Sequence, residues 1–308
     1  MERECDLAIV GGGLAGLTAA LFAGRHGLAP LLVMDYFIGG QILNIPHVVD
    51  YPGFPDGIAG HELGPLVQRQ AEAAGAEIVM EEAVAIGTGD PRHRIETAAG
   101  TILRPRAVIL ALGSSFRRLG VPGEAEFVGR GVSSCASCDG PLFSDKRVAV
   151  VGGGDSALLE AGTLAGYGAQ VLLVHRGQEL DGQQMLQDAL ASQPNVTIAL
   201  GTELVEVVGD QTVTGVVVRE VTTEQTRREA AAGVFIYAGL VPRSELLRGV
   251  VRLDGGGHVE VNARLETDAP GIFAAGDVRQ HSSGQLVSAA GDGAAAAVAA
   301  WQYLTRKN

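Results

Sequence analysis

An α/β fold in which one strand–turn–helix–strand unit occurs twice is predicted by three features of the sequence. The first is composition: 44 of the 308 residues are glycine, about twice the usual share of about 7%. Without collagen periodicity, that excess means many tight turns and close backbone approaches. The second is an internal repeat at a constant offset of 141 residues. Leu7-Ala8-Ile9-Val10, followed by Gly11, Gly13 and Gly16, matches Val148-Ala149-Val150-Val151, followed by Gly152, Gly154 and Ala157. Gly27 then matches Gly168, and the strand Leu31-Leu32-Val33 matches Leu172-Leu173-Val174. The third is a late apolar strand, Ala269 to Ala275, ending in Gly276-Asp277 and followed by a helix from about Gln285 to Leu304.

Each Gly-x-Gly-x-x-Gly/Ala run follows an apolar β run, opens a helical segment and is followed by a second strand. That context turns a weak motif into a dinucleotide-binding turn. The glycines let the turn close and let backbone approach a pyrophosphate, whose charge sits at the helix N-terminus. The fold class is therefore α/β, with two Rossmann-like three-layer nucleotide-binding domains, the second inserted in the first. The expected boundaries are residues 1–115 and 243–308 for the outer domain and 116–242 for the inner one.

Charge narrows the partners. With 23 Lys+Arg against 35 Asp+Glu the net charge is −12, which argues against nucleic acid or an anionic membrane surface. The acidic start Met1 to Asp6 has the wrong charge order for a signal peptide. The apolar stretch Ala294 to Trp301 is under half of the ~20 residues of a membrane helix. Three cysteines cannot frame a chain of this length with disulfides, so a cytoplasmic location is expected.

The residues ending the second strands separate the two sites. Asp35, 19 residues beyond Gly16, is placed to accept ribose hydroxyls and would repel a 2′-phosphate, so the first site suits FAD or NAD. The second copy has His175-Arg176 there. Arg176 meets a 2′-phosphate or is a solvated strand-end arginine. Asp277 either holds the ribityl chain of a flavin or caps the following turn.

Cys135-Ala136-Ser137-Cys138 is the one cysteine pair. No second pair and no clustered histidines accompany it, which argues against zinc. Beside two dinucleotide turns it reads as a redox disulfide. The adjacent Asp139 is a candidate proton donor and acceptor, or an acid that complements a helix start.

The colinear set Gly11-x-Gly13-x-x-Gly16, Gly39-Gly40-Gln41, Tyr51-Pro52-Gly53-Phe54, Ala111-Leu112-Gly113, Cys135-Ala136-Ser137-Cys138-Asp139-Gly140, Gly152-Gly153-Gly154-Asp155-Ser156-Ala157 and Phe273-Ala274-Ala275-Gly276-Asp277 resembles the low-molecular-weight thioredoxin reductases over essentially the whole chain. The resemblance implies a homodimer with FAD held by the first and last segments. It assigns to FAD Gly11, Gly13, Gly16, Asp35, Gly40, Gln41, Gly113, Gly276, Asp277 and Gln285. To the nicotinamide nucleotide, NADPH or NADH, it assigns Gly152, Gly154, Asp155, Ser156, His175 and Arg176. It further implies that Cys138 lies against the flavin, that Cys135 exchanges with the substrate disulfide, and that Asp139 is the acid/base. Members of this family rotate one domain against the other, which puts hinges near Gly113 to Ser115 and Gly239 to Pro242.

Three departures stand out. His175-Arg176 is followed by Gly177 rather than a second arginine, and Asp181 occupies a position where the family carries a further one. Pro141-Leu142-Phe143 replaces Phe-Phe-Tyr, and Gly284-Gln285 replaces Arg-Gln. The run Cys138 to Phe143, with Gln184 to Asp188 and Pro194 to Ile198, looks more like the NADH-linked flavoprotein subunit of alkyl hydroperoxide reductase. That subunit carries an N-terminal pair of thioredoxin-like modules that this sequence lacks, so a separate thioredoxin- or glutaredoxin-like protein would take the electrons. The other readings keep the flavin but change the donor to ferredoxin, reverse the flow as a dithiol oxidase using O₂, or leave a flavin redox sensor without turnover.

Overall fold

In the computed structural model, residues 1–35 and 38–306 are described. Strand β1 (Glu2–Val10) leads into helix α1 (Leu14–Arg25), then β2 (Leu31–Met34), α2 (Gly60–Ala73), β3 (Glu77–Met80), β4 (Ala83–Gly87), β5 (Arg94–Thr97) and β6 (Ile102–Leu110). After β7 (Ser114–Phe116) come β8 (Val132–Ser133), the four-residue α3 (Ala136–Asp139), β9 (Arg147–Val151), α4 (Asp155–Gly166) and β10 (Gln170–Val174). Then follow α5 (Gln184–Ala191), β11 (Val196–Ala199), β12 (Thr202–Gly209), β13 (Val213–Glu220), β14 (Thr226–Ala230) and β15 (Gly233–Ile236). The chain ends with β16 (Leu240–Pro242), β17 (Ile272–Ala274) and α6 (Leu286–Thr305). It divides into two compact units, residues 1–115 with 241–308, and residues 116–240.

The first unit is built on one sheet ordered β3-β2-β1-β6-β5-β4, with β17 beside β6. β1 to β3, β6 and β17 run parallel, while β5 joins β6 antiparallel. On one face α1, α2 and α6 bury Leu17, Ala20, Leu63, Ala296 and Ala300 against Leu7, Ile9 and Ile109. The other face, carrying Ala8, Val10, Val108 and Leu110, is covered by the β4–β5 hairpin and by Leu247, Val251 and Val259. A strand buried on both faces reads as a continuous apolar run. That is why Leu7 to Val10 and Ala107 to Leu110 lack alternation. α6 crosses α1 so closely that a Cβ at Gly293 would stand 2.1 Å from the Ala15 carbonyl oxygen.

The second unit repeats the plan with a parallel sheet ordered β11-β10-β9-β15-β8. α4 covers one face through Ala157, Ala161 and Leu164. The antiparallel sheet β12-β13-β14 covers the other through Leu204, Val216 and Val218.

The sequence repeat is a repeat of register. Ala8, Ile9 and Val10 pair with Leu31, Leu32 and Val33, and Ala149, Val150 and Val151 pair with Leu172, Leu173 and Val174. The hydrogen bonds repeat as well: Gly11 N–H donates to Val33 O at 2.8 Å and Gly152 N–H to Val174 O at 3.0 Å. Both helices stop at a left-handed glycine, Gly27 at φ +81° and Gly168 at +86°, the conformation that closes a helix without Cβ strain. Among the described residues, no helix is long and apolar enough to cross a membrane.

Candidate functional site

In the first unit the glycine turn divides its labour. Gly11, at φ +113°, would place a Cβ 2.1 Å from the Ala111 carbonyl oxygen, and a Cβ at Gly16 would fall 1.8 Å from the Gly11 oxygen. Only hydrogen fits at either position, so these two glycines let β1, α1 and the end of β6 meet. Gly13 is different: the nearest atom to a Cβ there is Gly39 O at 3.9 Å. Gly13 is the N-cap of α1 and supplies no side-chain cap. The first-turn N–H groups therefore face a space that the protein leaves clear, as a pyrophosphate requires. Gly39 and Gly40, at φ +99° and +65°, fold a second turn against the first. Asp35 follows β2, half-buried.

Three distant segments converge beside this turn. The Gln41 side-chain amide donates to Ser114 O at 2.8 Å and to Ser114 Oγ at 2.9 Å. Ser114 Oγ donates to Asp277 at 3.1 Å, and Ser282 Oγ donates to the other carboxylate oxygen at 3.0 Å. Gly276 has φ +74° and its N–H donates to Asp292 at 3.0 Å. The Arg279 guanidinium grips Asp292 at 2.6 and 2.8 Å. This largely buried pair ties Arg279, just after the Gly276-Asp277 turn, to Asp292 on α6 and so fixes that turn. Gly113 takes φ +68° just before Ser114, and Gln285 is the N-cap of α6. The clear space at Gly13, the uncapped helix start, the acid after β2 and a carboxylate held by the Ser114 and Ser282 hydroxyls all fit a flavin dinucleotide.

In the second unit Gly152, at φ +142°, would place a Cβ 2.4 Å from the Tyr237 carbonyl oxygen, whereas Gly154 has open space. Gly154 is the uncapped N-cap of α4, the counterpart of Gly13. Asp155 accepts the Gln183 backbone N–H at 2.7 Å and its side-chain amide at 2.9 Å, while Ser156 is exposed. The buried His175 ring lies under Gly153, and its Nε2 stands 3.5 Å from Asp181. The N–H groups of Asp181 and Gly182 donate to Gly153 O at 2.9 and 3.0 Å. Segment 181–182 is thus tied to the glycine turn. Arg176 is exposed and has no ion pair among the described residues. A Cβ at Gly177 would lie 2.4 Å from His175 Nε2, so an arginine there would displace the ring.

Cys135 and Cys138 are joined as a disulfide, Cα atoms 5.3 Å apart. Cys135 caps the four-residue α3: its Sγ accepts the Cys138 N–H at 3.2 Å and lies 3.4 Å from Ser137 Oγ. Asp139, half-buried, ends α3 and precedes a short 3-10 turn, to which its carboxylate gives no capping hydrogen bond. It also lies in the first turn of α3, where an acid complements the helix start.

Two residues at this turn were not anticipated from sequence. The Glu160 carboxylate, on the buried face of α4, accepts the Ala136 N–H at 2.8 Å. Among the described residues the buried Tyr237 hydroxyl has no hydrogen-bond partner of good geometry, yet it feels Glu160 closely. Burial, then the Glu160 carboxylate, push its acidity down strongly. Burial likewise raises the Glu160 carboxyl above the usual range, against the opposing pull of the Ala136 N–H. The signal was a lone acid in the apolar run Ala157-Leu158-Leu159-Glu160-Ala161, on the helix face that carries Ala157 and Leu164. Among the described residues no group of three or more His, Cys, Asp or Glu is placed to hold a metal.

The family model described as pyridine nucleotide-disulphide oxidoreductase matches residues 5–294. The thioredoxin reductase of Streptomyces clavuligerus is 41% identical over 307 residues, covering 99% of this chain and 95% of that protein. That of Treponema pallidum is 40% identical over 304 residues, covering 99% and 98%. The crystal structure of Lactococcus lactis thioredoxin reductase superposes with a TM-score of 0.94 at 34% identity, covering 97% of this chain and 99% of that one. The chain belongs to the pyridine nucleotide-disulphide oxidoreductase family and, within it, to the thioredoxin reductases.

Proposed function

We propose that this protein is an FAD-dependent disulfide reductase that passes electrons from a nicotinamide donor through Cys135 and Cys138 to a thioredoxin- or glutaredoxin-like protein. The observation that carries this reading is the Cys135–Cys138 disulfide in the same unit as the second glycine turn. Bound FAD would supply two-electron transfer between a nicotinamide and that disulfide. Gly13 and the first turn of α1 receive the pyrophosphate, Asp35 accepts ribose hydroxyls, and Gln41, Asp277 and Gln285 serve the rest of the flavin with Gly40, Gly113 and Gly276 shaping the turns. Gly154, Asp155 and Ser156 open the nicotinamide-nucleotide site, with His175 and Arg176 at its ribose end.

Reduction breaks the S–S bond with two electrons and two protons, leaving two thiols. Asp139 holds the proton that moves as one thiol becomes a thiolate. Following the family pattern, the Cys135 thiolate attacks the partner disulfide, expelling one partner sulfur and forming a mixed disulfide. Cys138 then attacks Cys135, releasing the second partner sulfur and restoring the Cys135–Cys138 bond. We place the protein in the cytoplasm as a homodimer, in keeping with its cysteine usage and family.

Anaerobic titration with NADH, NADPH or reduced ferredoxin, followed by flavin bleaching, tests the donor. Insulin or thioredoxin-disulfide reduction coupled to the same donor tests the acceptor. Bleaching by neither nucleotide would move the assignment to a ferredoxin or thiol donor.

A further inference from the structure

Tyr237 links two turns that function would use together. Its carbonyl closes on Gly152 of the nucleotide turn, while its buried hydroxyl enters the pocket where Glu160 accepts the Ala136 N–H. An acid in that pocket is expensive to ionise, and a hydroxyl there without a good partner costs stability. A merely structural prop for one N–H would be served as well by a glutamine. We infer that Glu160, seconded by Tyr237, is the positioning acid of the redox disulfide: its carboxylate fixes the turn carrying both sulfurs, and its ionisation opposes that of the thiol released on reduction.

The inference rests on the redox reading of the Cys135–Cys138 pair. Reduction adds two electrons and two protons to the S–S bond, or one proton when one sulfur stays a thiolate. Glu160 makes and breaks no bond in that step. A charged carboxylate one hydrogen bond from the turn raises the cost of a second negative charge on it, so the dithiol form is favoured while Glu160 is ionised. Few other groups compete. Of the elements packed on α4, α3 brings Asp139, which also acts on Tyr237. α5 brings only the exposed Asp188, held by Gln184, and β9 only the exposed Arg147. β10 and the turn Gly140–Phe143 bring no charged residue.

The test uses the FAD-loaded protein reduced chemically with dithiothreitol, and reads alkylation of Cys135 and Cys138 by mass spectrometry from about pH 5 to about pH 10. Glu160→Gln keeps an acceptor for Ala136 but removes the charge. It should lower the apparent thiol pKa by about half a unit or more. Tyr237→Phe leaves the carboxylate protonated over a wider range and should shift the profile the same way by less, which decides the matter if Glu160→Gln does not fold. Profiles identical to wild type in the folded variants would overturn the inference, even if thermal stability fell. Because the reductant is chemical, failure of a nicotinamide to reduce the enzyme would count against the proposed activity while leaving this result readable.

Discussion

Ser114 donates its hydroxyl hydrogen to Asp277 at 3.1 Å although 163 residues separate them in sequence. With Gln41 on one side and Ser282 on the other, the four form a polar chain that brings β7, the 3-10 turn Gly40–Asn44 and the segment after β17 together. Asp277→Ala removes its centre. Each charge-assisted hydrogen bond to a flavin hydroxyl is worth about 1.5–3 kcal/mol, so FAD affinity should fall about tenfold to a hundredfold. Flavin retained through gel filtration, set against protein content, measures this. Unchanged affinity would remove Asp277 from the cofactor site.

The glycine turn allows ligand effects to be separated from folding effects. A Cβ at Gly13 comes no closer to a protein atom than 3.9 Å, at Gly39 O, so Gly13→Val should give a folded, colourless protein if the pyrophosphate sits there. Gly11→Ala would drive a methyl into the Ala111 carbonyl from a positive φ and should lower the melting temperature of the apoprotein itself. A yellow Gly13→Val protein with normal FAD content would sink the pyrophosphate assignment.

Much of this was legible because periodicity and glycine chemistry act locally. The offset between Gly11 and Gly152 predicts a repeated turn, and the structure repeats even its Gly11–Val33 and Gly152–Val174 hydrogen bonds. The three-stranded sheet β12-β13-β14 was not legible: Thr202–Gly209 pairs with Val213–Glu220 through shifts of register near Leu204 and Val208 that blur a two-residue alternation. Nor were Ser114, Glu160, Tyr237 or the Arg279–Asp292 pair. Each acts through a partner in a different element, and nothing local marks a serine or tyrosine that will meet a carboxylate across the fold.

The cysteine pair predicts distinct phenotypes. Cys138→Ser and Cys135→Ser should each keep FAD and abolish disulfide turnover, because a hydroxyl cannot form the bond. The Cys135→Ser protein leaves Cys138 as a thiolate, and a long-wavelength charge-transfer band with the flavin is expected. Asp139→Asn should slow turnover by about 10² to 10⁴ if its carboxyl moves the proton. Wild-type rates of protein-disulfide reduction in both serine variants would make the pair structural.

Cys5 offers a pH test in the same molecule. Burial, foremost, pushes its thiol up to about 11, so at pH 8 about one part in a thousand is thiolate. Alkylation of the oxidised protein should be slow at neutral pH and rise about tenfold per pH unit until about 11. Because its folded pKa lies above the value of an exposed cysteine, the stability that this shift represents is fully present below about pH 9 and is lost as pH climbs through 11. Rapid labelling of Cys5 at neutral pH in the native protein would contradict its burial.

Donor preference turns on His175 and Asp181. Their 3.5 Å pairing and the Asp181 N–H bond to Gly153 hold a carboxylate beside the glycine turn, opposite a 2′-phosphate if one is bound there, and Arg176 follows β10 as an exposed cation. One guanidinium is worth about 1.5–3 kcal/mol to a phosphate, and the opposing acid offsets part of that. Wild-type discrimination between NADH and NADPH should therefore stay within about tenfold (~1.4 kcal/mol). Asp181→Arg removes the repulsion and adds a second donor without the steric conflict that an arginine at position 177 would create with His175. It should move kcat/KM towards NADPH by about tenfold or more. Steady-state kinetics with both nucleotides decide the point: a wild-type preference for NADPH above a hundredfold would show that Arg176 does not act alone, and no movement in Asp181→Arg would place the 2′-phosphate away from this segment.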